Sequence, residues 1–263
     1  MFSFDTVFSF DIFSFDIFSF DIVALIFIAF SLGGVLKGAT GVGAPFLAVP
    51  IMAILVDVPF AVAVFLVPNI VSNAGQIWRF RDNNQNAGFS RRFAVTGVIG
   101  AGIGTLALAA FSSVILTTAV AVVVLLYVTF RFFNPGWSLS LEAAGKIVRP
   151  VGAIGGFFQG AIGLSGPVAI SFVSAVGLPR PQFIFTMSLY FFAMTLIQFP
   201  VQIGLGIMTW ERAGYGLLAL VPLISGMAAG EVIGRRISKT TFDRVIIALL
   251  ALLTLRLLAE NFL

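Results

Sequence analysis

After residue 21 the chain alternates between long apolar runs and short polar connections. The runs are continuously apolar, with none of the apolar–polar alternation of barrel strands, so each is predicted to be a helix. About 20 helical residues cross the hydrocarbon core of a bilayer. The pattern therefore predicts an all-α polytopic membrane protein with ten apolar segments: 22–36, 44–56, 59–78, 93–110, 114–133, 148–160, 167–177, 181–209, 214–233 and 245–260.

Two glycine-rich stretches of thirteen residues, 33–45 and 155–167, lie 122 positions apart and interrupt this apolar sequence. The flanking segments are too short to span; residues 22–36, for example, would cover only about 22 Å. We therefore predict two helix hairpins that break inside the membrane. Pro45 and Pro167 suit the first turn of the helix after each break, because proline lacks the N–H that would be unpaired there.

The basic residues predict the orientation of the helices, because cytoplasmic loops are enriched in Lys and Arg. The connections 79–92 and 131–149 carry most of them, with others at Arg180 and in 235–244. Helix 59–78 then runs inward while its repeat partner 181–200 runs outward. The expected fold is two inverted-topology repeats, each with a broken helix hairpin plus three spanning helices, and with both chain termini outside the cytoplasm.

This repeat divides the chain into four parts. Residues 1–21 form a tandem FSFD tail, for which we assign no site. The first membrane repeat covers 22–133, a cytoplasmic linker covers 134–146, and the second membrane repeat covers 147–263.

Lys37 lies at the first break, where a cation costs about 2.5–3.5 kcal/mol unless it is compensated. Two half-helix N-termini with free N–H groups are expected to meet there, and such ends favour an anion. The counter-charge of Lys37 could arrive with an anionic substrate. The alternative is that Lys37 caps the carbonyls at the end of its own helix. Its repeat partner Gln159 is neutral, so the two breaks are not equivalent in charge.

Helix 59–78 carries a polar stripe, Asn69, Ser72, Asn73 and Gln76, at spacings of three and four residues. Gln76 coincides with Gln198 across the repeat. These side chains either line the site or hydrogen-bond helix to helix. The predicted substrate-binding residues are Lys37, Gly38, Thr40, Gly41, Gly43, Ala44, Asn73, Gln76, Gln159, Gly160, Gly163, Ser165, Gly166 and Gln198.

Other glycines have the small-xxx-small spacing that permits close packing of helices. Gly97, Gly100, Gly102 and Gly104 in the first half, and Gly226 and Gly230 in the second, are interpreted as structural. Such faces suit a homodimer as well as packing within one chain.

The amino-acid composition limits the catalytic and metal-binding chemistry that this chain can perform. The 263 residues are 59% hydrophobic and 10% charged, and they include no cysteine and no histidine. Thiolate and imidazole chemistry are excluded, as is metal or haem ligation by these residues. We therefore predict no enzyme activity, no cofactor and no metal. The net charge of +4 comes from basic residues in short loops, so it is not interpreted as nucleic-acid binding.

The paired motifs GGVLKGATGVGAP and GGFFQGAIGLSGP resemble those of the TauE/SafE family, the sulfite exporter group, over nearly all of residues 22–262. The resemblance implies movement of small sulfur-containing anions, such as sulfite, sulfonates or sulfoacetate, across the bacterial inner membrane. Matched breaks in two halves favour a secondary transporter working by alternating access. An anion channel and a non-catalytic membrane subunit of a complex are the alternatives.

Overall fold

The computed structural model describes residues 20–134 and 136–236, and within them the chain is helical. The segment 245–260 and most of the FSFD tail lie outside the described residues. Between the helices, Arg81–Asn83 forms one 3₁₀ turn. The helices are α1 (Phe20–Thr40), α2 (Ala44–Leu55), α3 (Val58–Phe80), α4 (Ala87–Ala110), α5 (Ser113–Phe133), α6 (Leu141–Ile162), α7 (Gly166–Ala175), α8 (Arg180–Gly204) and α9 (Trp210–Arg236).

Within this described part, six helices are long and apolar enough to cross a membrane: α1, α3, α4, α5, α8 and α9. Helix α6 has 22 residues and is about 33 Å long, but its first turns carry Glu142, Lys146 and Arg149. Helices α2 and α7 are short, with 12 and 10 residues. The prediction of an all-helical, multi-pass membrane protein is confirmed.

The predicted bounds of the helices before each break are wrong. Helix α1 continues to Thr40 and α6 to Ile162, so most of each glycine-rich stretch is helical and neither helix is a half-helix. The glycines serve close packing, because a Cβ on Gly34 or Gly38 would meet backbone carbonyls of α9. The breaks are reduced to three residues each: 41–43, called break 1 below, and 163–165, called break 2.

Helix α6 begins at Leu141, within the predicted linker 134–146 and seven residues before the predicted apolar segment 148–160. Ser140 is its N-cap, and its hydroxyl accepts a hydrogen bond from the Ala143 N–H at 3.2 Å. One turn further on, Glu142 and Lys146 form an exposed ion pair of 3.0 Å. Because these charged residues interrupt the apolar run, the hydrophobic pattern did not predict the first turns of the helix.

Side-chain contacts give the relative directions of the helices. Helices α3 and α8 are antiparallel, since Asn69 contacts Thr195 while Gln76 contacts Ser188. Helix α1 runs parallel to α3, and α6 runs parallel to α8. As a result, the predicted cytoplasmic connections that the structure describes, 79–92, 131–149 and the one at Arg180, lie at one end of the bundle.

The two halves pack through exchanged helices. Helix α4 lies on α6, and α9 lies on α1. A Cβ on Gly100 would meet the carbonyl of Ala153, and one on Gly226 would meet that of Ser31. Gly226 follows Gly100 by 126 positions and Ala153 follows Ser31 by 122, the offsets at which the halves align. The interpretation as packing residues is confirmed for Gly97, Gly100, Gly104, Gly226 and Gly230. A Cβ on Gly102 would meet only Ile197, at 3.7 Å, so close packing does not require glycine there.

Two clusters of buried apolar residues hold the short helices in place. One surrounds α2 and includes the stacked rings of Phe30 and Phe65. The other lies between α4, α7 and α8, where the rings of Phe93 and Tyr190 stack at 3.9 Å. Burial on all sides allows the non-helical backbone of the breaks to exist inside the bundle.

Candidate functional site

Break 1 is shaped by glycine. Gly41 and Gly43 adopt left-handed φ angles of 88° and 96°, which residues with a Cβ rarely adopt. The Gly41 N–H still donates to the Lys37 carbonyl at 2.7 Å and completes the last turn of α1. The Thr40 hydroxyl donates to the Leu36 carbonyl and accepts from the Val42 N–H. The loop then enters α2, with Pro45 in its first turn.

Break 2 is stabilised by a glutamine. Gly163 ends α6 with a φ of 73°. Both the N–H and the hydroxyl of Ser165 donate to Gln159 Oε1, at 3.3 and 3.0 Å. Ser165 stands at the N-cap position of α7, but its side chain makes no capping hydrogen bond.

The first turns of α2 and α7 lie against each other. A Cβ on Gly166, the first residue of α7, would meet the ring of Phe46 in the first turn of α2. Gly33 of α1 faces Ala44, and Gly155 of α6 faces Val168. Each short helix thus begins beside an interior turn of the long helix that precedes it. The structure brings together the two N-termini that the sequence predicts to meet.

The breaks themselves turn at different heights along α3. Gly41 contacts Gln76 near the basic end, whereas Gly163 faces Val62 near the other end. These two positions of α3 are 14 residues apart, or about 21 Å. Asn69 lies midway between them. Helices α1 and α6 therefore each pass the middle of α3 before they turn back.

Lys37 is buried in the middle of this arrangement, with only 3% of its surface exposed. Its ammonium group donates to Ser72 Oγ at 2.9 Å and to Asn73 Oδ1 at 2.7 Å. The alternative that Lys37 caps its own helix is therefore wrong. Within the described residues, no carboxylate forms an ion pair with it. The acid Asp57 caps α3, and Glu231 pairs with Arg79 at the basic end.

A chain of buried amides continues from Lys37 to the second half. Asn73 Nδ2 donates to Asn69 Oδ1 at 2.6 Å, and Asn69 Nδ2 donates to Thr195 Oγ1 at 2.8 Å. We call Lys37, Ser72, Asn73, Asn69 and Thr195 the lysine cluster. Its polar groups are paired with one another, but its members include one cation and no anion. Lys37 uses two of its three ammonium N–H donors in these contacts, so the cluster has a positive charge and one donor for a small anion.

Two further contacts close the basic end over the lysine cluster. Gln76 donates to the Gly41 carbonyl at 2.9 Å and accepts from the Ser188 hydroxyl at 3.0 Å, so it joins break 1 to α8. Arg180, at the start of α8, donates to the Ala39 carbonyl at 3.0 Å. Access to Lys37 from this end requires these contacts to open.

A second polar cluster lies beyond the middle, toward the other end. Gln198 Nε2 donates to the Gln159 carbonyl at 3.3 Å. Gln202, one turn further along α8, is fully buried. We call Gln159, Ser165, Gln198 and Gln202 the glutamine cluster.

The predicted site residues thus fall into three groups. The first group lies in or beside break 1 and the lysine cluster: Lys37, Thr40, Gly41, Gly43, Ala44, Asn73 and Gln76. The second lies in or beside break 2 and the glutamine cluster: Gln159, Gly163, Ser165, Gly166 and Gln198. Gly38 and Gly160 face helices α9 and α4 instead. Their predicted place in the site came from reading each glycine stretch as one break.

Sequence reasoning left four residues out of the site. Ser72 and Asn69 lie on the polar stripe that the sequence shows on α3, and only their contacts single them out. Thr195 and Gln202 continue the Gln198 face of α8 at spacings of three and four. This helical spacing was the sequence signal that could have placed both residues in the site.

The described part of the chain is helical, with six candidate spans and two short helices packed near a buried lysine, and it is that of a multi-pass membrane protein. The chain matches the family description "Sulfite exporter TauE/SafE" over residues 25–257, and it belongs to this family. The family comprises transporters rather than enzymes. Comparison with curated proteins gave no match, and comparison with solved structures gave none either.

Proposed function

We propose that this protein is a secondary transporter that moves small sulfur-containing anions of the sulfite, sulfonate or sulfoacetate type across the bacterial inner membrane. The observation that carries the proposal is Lys37, a buried cation held by a hydroxyl and an amide with no carboxylate paired to it among the described residues. Family membership supports the same class of substrate.

The charge argument favours an anion. Burying an ionised group without a counter-charge is expensive, and neutral hydrogen-bond partners compensate only part of the cost. An anion bound near Lys37 would supply the missing charge. The first turns of α2 and α7 lie nearby and would add N–H donors and the positive ends of two helix dipoles.

Alternating access is the mechanism that the packing supports best. Two tightly packed helix pairs, α4 with α6 and α1 with α9, each join a helix of the first half to a helix of the second half. The counterparts α3 and α8 run antiparallel. Inverted repeats of this kind rock around a fixed central site in many secondary transporters. In the proposed cycle the contacts of Gln76 and Arg180 open toward the cytoplasm, and the opposite end closes in turn. Both chain termini lie on the outer side in this proposal.

Two other functions compete with this one. An anion channel would use the same cation but would not exchange solutes one for one. A non-catalytic subunit would depend on other proteins for any flux. A reconstituted system that contains only this chain separates all three.

The test is flux of radiolabelled sulfite into liposomes that contain the purified chain. We expect saturable uptake that is accelerated by unlabelled sulfite on the opposite side, which is the signature of a carrier. Lys37→Gln should abolish this counterflow, and the exposed Lys146→Gln variant should retain it. Flux without counterflow would favour the channel. Unchanged counterflow in Lys37→Gln would remove the lysine from the mechanism.

A sulfonate and a monocarboxylate of similar size extend the same assay to substrate class. We expect the sulfonate, and not the carboxylate, to compete with sulfite. Competition by the carboxylate alone would contradict the proposed substrate class.

A further inference from the structure

We propose that the glutamine cluster is a binding site for a small monovalent cation of the size of Na⁺, which is co-transported with the anion. The inference rests on the proposed transport function, but binding at this site can be tested without transport.

The first observation is a set of unpaired, buried carboxamide atoms. Gln198 and Gln202 are both fully buried. Within the described ranges, Gln198 Oε1 has no hydrogen-bond partner, and neither does either polar atom of the Gln202 side chain. Leaving such a group unsatisfied costs about 1–3 kcal/mol, so a bound species is expected to occupy this place.

The second observation concerns which kind of species fits. Gln198 Nε2 donates to the Gln159 carbonyl, and a carbonyl can only accept. The orientation of this side chain is therefore determined, and its free atom is the oxygen. The Gln202 side chain is free to present its own oxygen to the same place. Two residues four apart on a helix lie one above the other, about 5–6 Å apart at their Cβ atoms.

The third observation is the unwound end of α6. In a continuing helix the Leu164 and Ser165 N–H groups would donate to the carbonyls of Gly160 and Ala161. They donate to the Phe158 carbonyl and to Gln159 Oε1 instead. The carbonyls of Gly160 and Ala161 thus lose their helical donors at the negative end of the α6 dipole. Carbonyl and carboxamide oxygens at the end of a broken helix are the ligands that transporters use for Na⁺.

Comparison of the two clusters argues against a second anion site. Gln159 occupies the place of Lys37 in the repeat, so this cluster has no cation, and the Gln159 oxygen already accepts the Ser165 donors at break 2. Among the unpaired atoms of the described residues here, Gln202 Nε2 is a donor, whereas Gln198 Oε1 and Gln202 Oε1 are acceptors that suit a cation. None of the four side chains titrates, so the ion bound at this cluster is not a proton.

The experiment measures thermal unfolding of the purified full-length chain in NaCl, KCl and choline chloride at equal ionic strength, without any sulfur anion. We expect a stabilisation that is specific to Na⁺ and saturates. Gln202→Leu should weaken Na⁺ binding by about tenfold or more, since a factor of ten corresponds to about 1.4 kcal/mol, the scale of one polar interaction. Gln202→Glu should strengthen it, because it adds a negative ligand.

Gln182→Leu is the matched control. Gln182 is a buried glutamine on the same helix whose Nε2 is likewise unpaired within the described residues, but it lies near the opposite end of α8. Its Na⁺ response should equal that of the wild type. Each variant is compared with itself in choline, so a general change in stability does not affect the result. No Na⁺-specific shift in the wild type would overturn the inference, as would equal shifts in wild type, Gln202→Leu and Gln202→Glu.

Liposomes provide the link to transport. We expect ²²Na⁺ to enter with sulfite and to require Gln202. Sulfite counterflow that ignores Na⁺ would overturn the co-transport and leave the proposed function intact. Na⁺-specific stabilisation with no flux of any sulfur anion would reject the proposed function and retain the cation site.

Discussion

The ammonium nitrogen of Lys37 lies 2.7 Å from Asn73 Oδ1, and both side chains are buried. The charged donor on α1 therefore meets a neutral acceptor on α3, although a buried ammonium is usually paired with a carboxylate. The contact places the charge beside Asn73, which is hydrogen-bonded to Asn69 and through it to Thr195 of α8. It also makes the stability of this region depend on both partners.

A double-mutant cycle measures that dependence. Lys37→Met removes a buried cation with little change in volume, so we expect equal or higher thermal stability. Asn73→Leu leaves the ammonium with one acceptor fewer and should destabilise the protein by about 1–3 kcal/mol. In the double variant the cost of Asn73→Leu should fall, because the charge is gone. Additive effects of the two substitutions would show that Lys37 and Asn73 are not coupled.

The packing of α4 on α6 depends on glycine at the points of contact. Gly100→Ala would bring a Cβ against the Ala153 carbonyl and should cost about 1–3 kcal/mol. Gly226→Ala, at the equivalent contact of α9 with α1, should behave alike. Gly75→Ala is the control, since nothing lies within 4 Å of its Cβ position. It should stabilise α3 by about 0.5–1 kcal/mol. Thermal unfolding in detergent checks all three, and equal effects would refute the packing role.

Gln76 is expected to hold break 1 closed from the basic end. The chain contains no cysteine, so Val42→Cys introduces a single thiol at a buried position of the break. We expect slow labelling by a membrane-impermeant maleimide, and faster labelling when Gln76→Leu removes the hydrogen bond to the Gly41 carbonyl. Ser188→Ala removes the other partner of Gln76 and should have a smaller effect. Labelling rates that do not respond to Gln76→Leu would contradict the closing role.

Membrane orientation can be tested with two exposed positions at opposite ends of the bundle. Gln85→Cys lies in the basic connection between α3 and α4, and Ser112→Cys lies between α4 and α5. In intact spheroplasts we expect an impermeant reagent to label Ser112→Cys directly. Gln85→Cys should react only after the membrane is opened. The reverse pattern would invert the predicted topology.

The extent of each helix shows where local pattern suffices and where it does not. The predicted segment 44–56 became α2 (Ala44–Leu55) almost unchanged, because Gly43 and Pro45 act on the backbone next to them. The predicted segment 22–36 was too short, since Lys37 and Gly38 were placed in the break, whereas α1 continues to Thr40. A glycine inside a helix looks the same in the sequence whether it bends the chain or admits a neighbouring helix.

The candidate site shows the same division. The sequence marks Lys37 as an unusual cation and places Asn73 and Gln76 on one stripe, because both properties depend on residue type and spacing. That Lys37 meets Ser72 and Asn73, and that the Gln202 carboxamide finds no partner among the described residues, depends on contacts between residues far apart in the chain.

By itself the sequence determined the helical class, the duplicated glycine-rich motif, the region of each break and the polar residues beside it. These follow from hydrophobic length, charge in the loops and the backbone preferences of glycine and proline, all of which act locally. Tertiary structure decided which glycines are contacts, how far α1 and α6 continue past the middle of α3, and which polar groups find partners. Those outcomes follow from the packing of helices against one another, which spacing along a single chain does not encode.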